Sequence, residues 1–151
     1  MIPKIWLILG ALLAGSSVLM GAYGTHGLEV RLRTEFELQP AADRNNTLPP
    51  AKLMKDYEAA WRHQMIHAFA LLLVGVMSLV APGRWWMAAG LSFLVGEALF
   101  CGSLYATVFT WDERWTAWAP FGGVAFVVGW VLFAGGALLA KFPRPRSDAP
   151  V

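Results

Sequence analysis

Apolar residues run almost unbroken from Ile5 to about Tyr23, from Trp61 to Ala81, from Trp85 to about Phe109 and from Trp118 to Ala140. Each run is long enough to cross a bilayer, because about 20 residues at a rise of roughly 1.5 Å span a hydrocarbon core of about 30 Å. The pattern predicts an all-α membrane protein, a four-transmembrane-helix antiparallel bundle over approximately 5–24, 61–81, 85–109 and 118–140. Pro82-Gly83 and Asp112-Glu113-Arg114 supply the turns between the later runs, and connections so short force antiparallel neighbours. Lys4 before an apolar stretch resembles the start of a secretory signal. The run outlasts the usual h-region, however, and no A-x-A site follows it, so it reads as an uncleaved first span.

Between the first and second runs the pattern breaks. Residues 25–60 mix Glu29, Arg31, Arg33, Glu35, Glu37, Lys52, Lys55, Asp56 and Glu58 with Pro40, Pro49 and Pro50, which predicts a long, solvated first loop. Within it Leu28, Val30 and Leu32 alternate with charges in the manner of a strand, whereas Leu53, Met54 and Tyr57 suit a short amphipathic helix entering the bilayer. Residues 39–50 have turn and disorder chemistry. A basic tail, 141–151, closes the chain.

Composition agrees with one membrane domain over 1–151. Of 151 residues 57% are hydrophobic and 15% charged, with mean hydropathy +0.50; a soluble domain carries about 25% charged residues, and one this small could not bury so much apolar surface. The net charge of +2 is too small and too dispersed for nucleic acid to be a partner. The expected surroundings are the lipid bilayer and other membrane-protein subunits. One cysteine, Cys101, excludes an internal disulfide. Seven of the eight tryptophans fall near predicted helix ends, as in the aromatic belt at headgroup level. Small residues line one side of the first run (Gly10, Ala14, Gly21, Gly24) and of the last (Gly122, Gly129), which lets neighbouring helices approach closely. Four spans put both termini on one side, and Lys141, Arg144 and Arg146 directly after the last span favour the cytoplasm of a bacterium, with the bundle in the inner (plasma) membrane.

Four short motifs carry a resemblance. Residues 21–28, GAYGTHGL, resemble the GAFGAHGL signature of the family called domain of unknown function 423; 63–68, HQMIHA, resemble its YQxxHA; 99–105, LFCGSLY, its LFSGSLY; and Ala119-Pro120-Phe121-Gly122-Gly123 through Gly129-Trp130 its TPxGG…GW. They occur in family order along all four runs. The resemblance implies a small four-helix integral membrane protein and assigns no activity. The chain departs from the pattern at His63 (usually Tyr), Cys101 (Ser), Ala119 (Thr) and Glu97 (apolar), and in a first loop longer by about residues 39–50.

Two groups of residues bear chemistry. His63 and His67 project from one face at i, i+4 beside Gln64, Tyr105 falls at a similar depth on the next run, and His26 ends the first. His26, His63, Gln64, His67, Ser103 and Tyr105 thus form a candidate intramembrane polar cluster near the first-loop side. It reads either as a ligand, haem, metal or proton site or as interhelical hydrogen bonds that satisfy one another. Glu97 lies about twelve residues from Trp85, close to mid-bilayer, where an ionised carboxylate costs at least ~2.5 kcal/mol. It must be neutral, paired or facing a partner, and Cys101 shares its face at i+4; these two are candidates for a partner contact or proton relay. No catalytic residues are assigned: Ser103 with His67 lacks an orienting third group. No metal site is expected from His63, His67 and Glu97, since Glu97 lies deeper than either histidine, and no cofactor is expected, with a haem on His26 or His67 as the lesser alternative. The expected function is a non-catalytic component or accessory subunit of a larger membrane complex. The alternative is a small transporter or channel whose polar cluster lines a path, although repeats and broken helices are not evident.

Overall fold

A computed structural model of the chain describes residues 2–44 and 47–140, and these are helical almost throughout, with no strand among the described residues. The helix α1 comprises Ile2–Tyr23, a π-helical turn Gly24–Leu28 and Glu29–Leu38, and Pro3–Leu38 forms one continuous rod of 36 residues whose last part is charged. A single turn, α2, follows at Ala41–Arg44. The second span is α3, Pro50–Val80, with proline at its start, where the missing N–H costs nothing. The third is α4, Arg84–Thr110, which contains a π-helical turn at Glu97–Cys101. The fourth, α5, runs over Glu113–Leu139 and begins with a 3-10 turn, Glu113–Trp118. All four long helices have the length and composition to cross a membrane. The basic tail, 141–151, lies outside the described residues.

The helices stand in the order α1, α3, α4, α5, each packed chiefly on the next. Their shared core joins Trp6, Leu71, Val74, Trp86, Phe93, Leu104 and Phe126. Close approach depends on small residues: a Cβ on Gly10 would meet the Ala68 carbonyl oxygen at 2.8 Å, one on Gly129 the Phe93 ring at 2.6 Å, and one on Gly122 the backbone of Phe100. Gly24 takes the ring of Tyr57 in the same way, at 2.8 Å, and Gly21 lies in ordinary contact with Trp61.

The region expected as a long loop, 25–60, is mostly helix. Leu28 and Leu32 do not alternate across a strand; spaced i, i+4 on α1, they are buried together against Leu53, Tyr57 and Val108, while Val30 points outward and is 69% exposed. Charges between the leucines serve the outer faces as helix-spaced ion pairs, Arg33–Glu29, Arg31–Glu35, Lys52–Asp56 and Arg62–Glu58. The non-helical connection shrinks to the stretch around α2. The outcome is a polar cap, in which residues 24–38 of α1 and the first turns of α3 extend the bundle beyond its apolar length. Two contacts brace this cap on the other helices: the Trp111 indole donates to Glu35 Oε2 at 3.3 Å, and Lys52 pairs with Glu113 at 3.3 Å. Trp111 itself ends α4 at φ 58°, a left-handed position uncommon outside glycine.

Candidate functional site

The polar side chains expected to form one cluster separate into distinct sets. Gln64 is the centre of the first. Its amide donates to the Leu13 carbonyl at 3.0 Å and to Ser16 Oγ at 2.7 Å, and its Oε1 accepts from the Tyr105 hydroxyl at 2.9 Å. One side chain on α3 therefore ties α1 to α4, and both amide protons are used. Neighbouring turns repeat the device, with Ser17 Oγ donating to the Trp61 carbonyl at 2.8 Å and the Tyr57 hydroxyl to the Met20 carbonyl at 2.7 Å.

The second set is aromatic. His67 stacks face to face on Phe126, with centroids 3.5 Å apart and planes within 6°. Its Nδ1 lies 2.9 Å from the His63 carbonyl oxygen, and its Nε2 accepts from the Trp130 indole at 3.2 Å. A carbonyl at one nitrogen and an N–H at the other assign the neutral tautomer protonated at Nδ1. Both nitrogens are engaged, so His67 offers no lone pair to a haem iron or another metal. His63 tilts against Phe100 at 4.6 Å, its Nδ1 2.8 Å from the Ala59 carbonyl. Among the described residues no three His, Cys, Asp or Glu side chains gather as metal ligands.

Two expected members stand apart. His26 is exposed on the π-helical turn of α1, because the helix continues past it and carries it round to the outer face. Ser103 is buried, but its hydroxyl donates to the Phe100 carbonyl of its own helix at 3.1 Å, and its partner is not His67. Sequence reasoning did not include Trp130 and Phe126, which hold His67, nor Tyr57. A signal existed for Trp130: it is the one tryptophan far from every predicted helix end.

Glu97 opens the π-helical turn of α4 and is only 8% exposed. Glu97 and Cys101 are both buried, which leaves little surface for the subunit contact that the sequence suggested for this pair. The Glu97 Oε1 atom is buried with no hydrogen-bond partner. Ser92, on the same helix, donates to the Ala125 carbonyl on α5 at 2.8 Å.

The cap presents a different kind of site. An open cleft of about 610 Å³ lies between Glu29, Arg33 and Phe36 of α1 and Met54, Lys55 and Glu58 of α3. In the neighbouring turn the Arg114 guanidinium and backbone amide both bond the Asp112 carboxylate, which holds it below the usual carboxylate range.

Comparison with known proteins agrees with this architecture. The family model described as "Protein of unknown function (DUF423)" matches residues 20–123. The chain is 33% identical over 130 residues to UPF0382 membrane protein SAB0533 of Staphylococcus aureus, an alignment covering 85% of this chain and 91% of the relative. It is 35% identical over 134 residues to UPF0382 membrane protein SSP2132 of Staphylococcus saprophyticus, covering 88% and 96%. With UPF0382 membrane protein YwdK of Bacillus subtilis it shares 31% over 143 residues, covering 89% and 97%. No solved structure matches the chain. With the family motifs lying on the helices that pack the bundle, and the alignments spanning nearly the whole length of bacterial membrane proteins, the chain belongs to the DUF423 family.

Proposed function

We propose that this protein is a non-catalytic accessory subunit of a larger membrane complex. The observation that carries the reading is the state of the polar groups inside the bundle: the Gln64 amide, the Tyr105 hydroxyl and both His67 nitrogens are engaged with neighbouring groups. A transporter or channel needs such groups to exchange bonds with a solute, and here exchange would cost packing between helices. The braced cap supports the same reading, since it offers a rigid, charged surface at the membrane edge with Val30 and Leu38 exposed at its rim. The complex sits in the bacterial plasma membrane with both termini cytoplasmic and the cap on the outer side. Purification from native membranes in mild detergent, followed by native mass spectrometry, tests the role. A stoichiometric hetero-complex is expected; a homo-oligomer that conducts solute or ions in liposomes would overturn it. Reaction of an impermeant thiol reagent with Glu37→Cys in intact cells is expected from the orientation, and its failure there, with reaction after lysis, would reverse it.

A further inference from the structure

Glu97 belongs to neither the Gln64 set nor the His67 set. It is more than nine-tenths buried near the middle of α4, its Oε1 has no hydrogen-bond partner, and the buried Cys101 lies at the other end of the same π-helical turn. The groups facing it from the packed helices offer no positive charge. From α3 come His63 and His67, the one set against Phe100 and the other held neutral between the His63 carbonyl and Trp130; α5 has no ionisable side chain over Ala119–Leu139, and α4 itself adds Cys101 and Tyr105. The surroundings are also polar on one side only. Towards the termini the same face of α4 is apolar, with buried Phe93, Ala89 and Trp86. Towards the cap it carries Cys101 and Tyr105, and Tyr105 leads on to Gln64 and Ser16 through hydrogen bonds. The π-helical turn that begins at Glu97 is a further mark, for such single turns inside α-helices are frequently functional.

We infer that Glu97 is a proton-exchange site, whose carboxyl takes a proton from cap-side water and returns it by the same side along the Cys101–Tyr105 face. The reaction is the interconversion of carboxylate plus proton and carboxylic acid, and it needs no further reactant. A carboxyl without a counter-charge in this medium rests in the neutral form, and its unclaimed oxygen is the atom free to exchange.

Infrared spectroscopy and carbodiimide chemistry on the full chain in lipid nanodiscs test this. The wild type is expected to show a carbonyl stretch of a protonated carboxylic acid that is absent from Glu97→Gln, shifts in D₂O and weakens at alkaline pH. Dicyclohexylcarbodiimide, which adds to the protonated acid, is expected to label Glu97 before Glu29 or Glu37, more slowly as pH rises. A water-soluble carbodiimide is expected to reverse that order. Tyr105→Phe is expected to keep the band and slow its deuterium shift. The inference fails if Glu97 resists the apolar reagent at every pH, if the band is unmoved by D₂O or pH, or if Tyr105→Phe exchanges as fast as the wild type. Labelling is read on the wild-type chain, so a poorly folded variant would not rescue the proposal.

Discussion

Replacing Gln64 by leucine keeps the volume of the side chain and deletes three hydrogen bonds, to Leu13, Ser16 and Tyr105. Interhelical hydrogen bonds in membranes average about 0.6 kcal/mol and reach about 1.7 kcal/mol, so three of them predict a loss of about 2 kcal/mol. Part of it is specific to Tyr105, whose hydroxyl loses its acceptor, whereas the Leu13 carbonyl still accepts from Ser16 Oγ at 2.9 Å. A double-mutant cycle with Tyr105→Phe isolates this term, expected at about 0.6 kcal/mol or more. Reversible unfolding in mixed micelles, followed by tryptophan fluorescence, measures both quantities. A loss for Gln64→Leu below about 0.5 kcal/mol, with no coupling to Tyr105, would refute the view that this amide joins α1, α3 and α4.

Other outcomes follow from the same packing. Gly122→Ala drives a methyl into the backbone of Phe100 and is expected to destabilise by about 1–3 kcal/mol, whereas Gly123→Ala, whose nearest neighbouring atom is 4.0 Å away, should be neutral in the same unfolding assay. In the cap, Leu32→Ala is expected to cost about 2–5 kcal/mol and to open residues 29–55 to protease, with Val30→Ala silent. The Asp112 carboxylate is held below its ordinary range by Arg114, so its contribution is present above the unfolded value of about 3.9 and fades as pH falls through the lower folded value. Hydrogen exchange at the Trp115 amide, which bonds the Asp112 carbonyl, should quicken below about pH 4 in the wild type and lose that response in Asp112→Asn.

The spans were legible because length and hydropathy are local properties, and because Pro82-Gly83 and the Asp112 turn leave room only for antiparallel neighbours. The cap was misread for an equally local reason. Leu28, Val30 and Leu32 satisfy a period of two, but Leu28 and Leu32 also satisfy a helical i, i+4 spacing, and only Leu53 and Tyr57 on a partner helix decide between them. Four charge pairs at i, i+4 were in the sequence as a helical signal, hidden by the proline and turn residues of 39–50. The polar cluster was legible in depth and not in rotation. Its members were assigned by counting from tryptophans, which fixes height along a helix, whereas partners depend on azimuth, and each π-helical turn shifts the azimuth of everything beyond it. His26 lies within the first of these turns and faces outward, and the engagement of His67 with Trp130 required knowing that α5 sets that indole N–H against α3 although the tryptophan itself is exposed.

The central claim is that the hydrogen bonds from Gln64 and His67 hold the helices together and the cap is the surface that meets a partner, and photo-crosslinking in living cells tests it most directly. A photoreactive residue at Val30, 69% exposed, is predicted to trap one discrete membrane-protein partner, while the same group at Leu32, 2% exposed, should couple only within the chain to Leu53 or Tyr57. Products at Val30 limited to lipid or to copies of this chain, together with solute flux through the purified protein in liposomes, would contradict it.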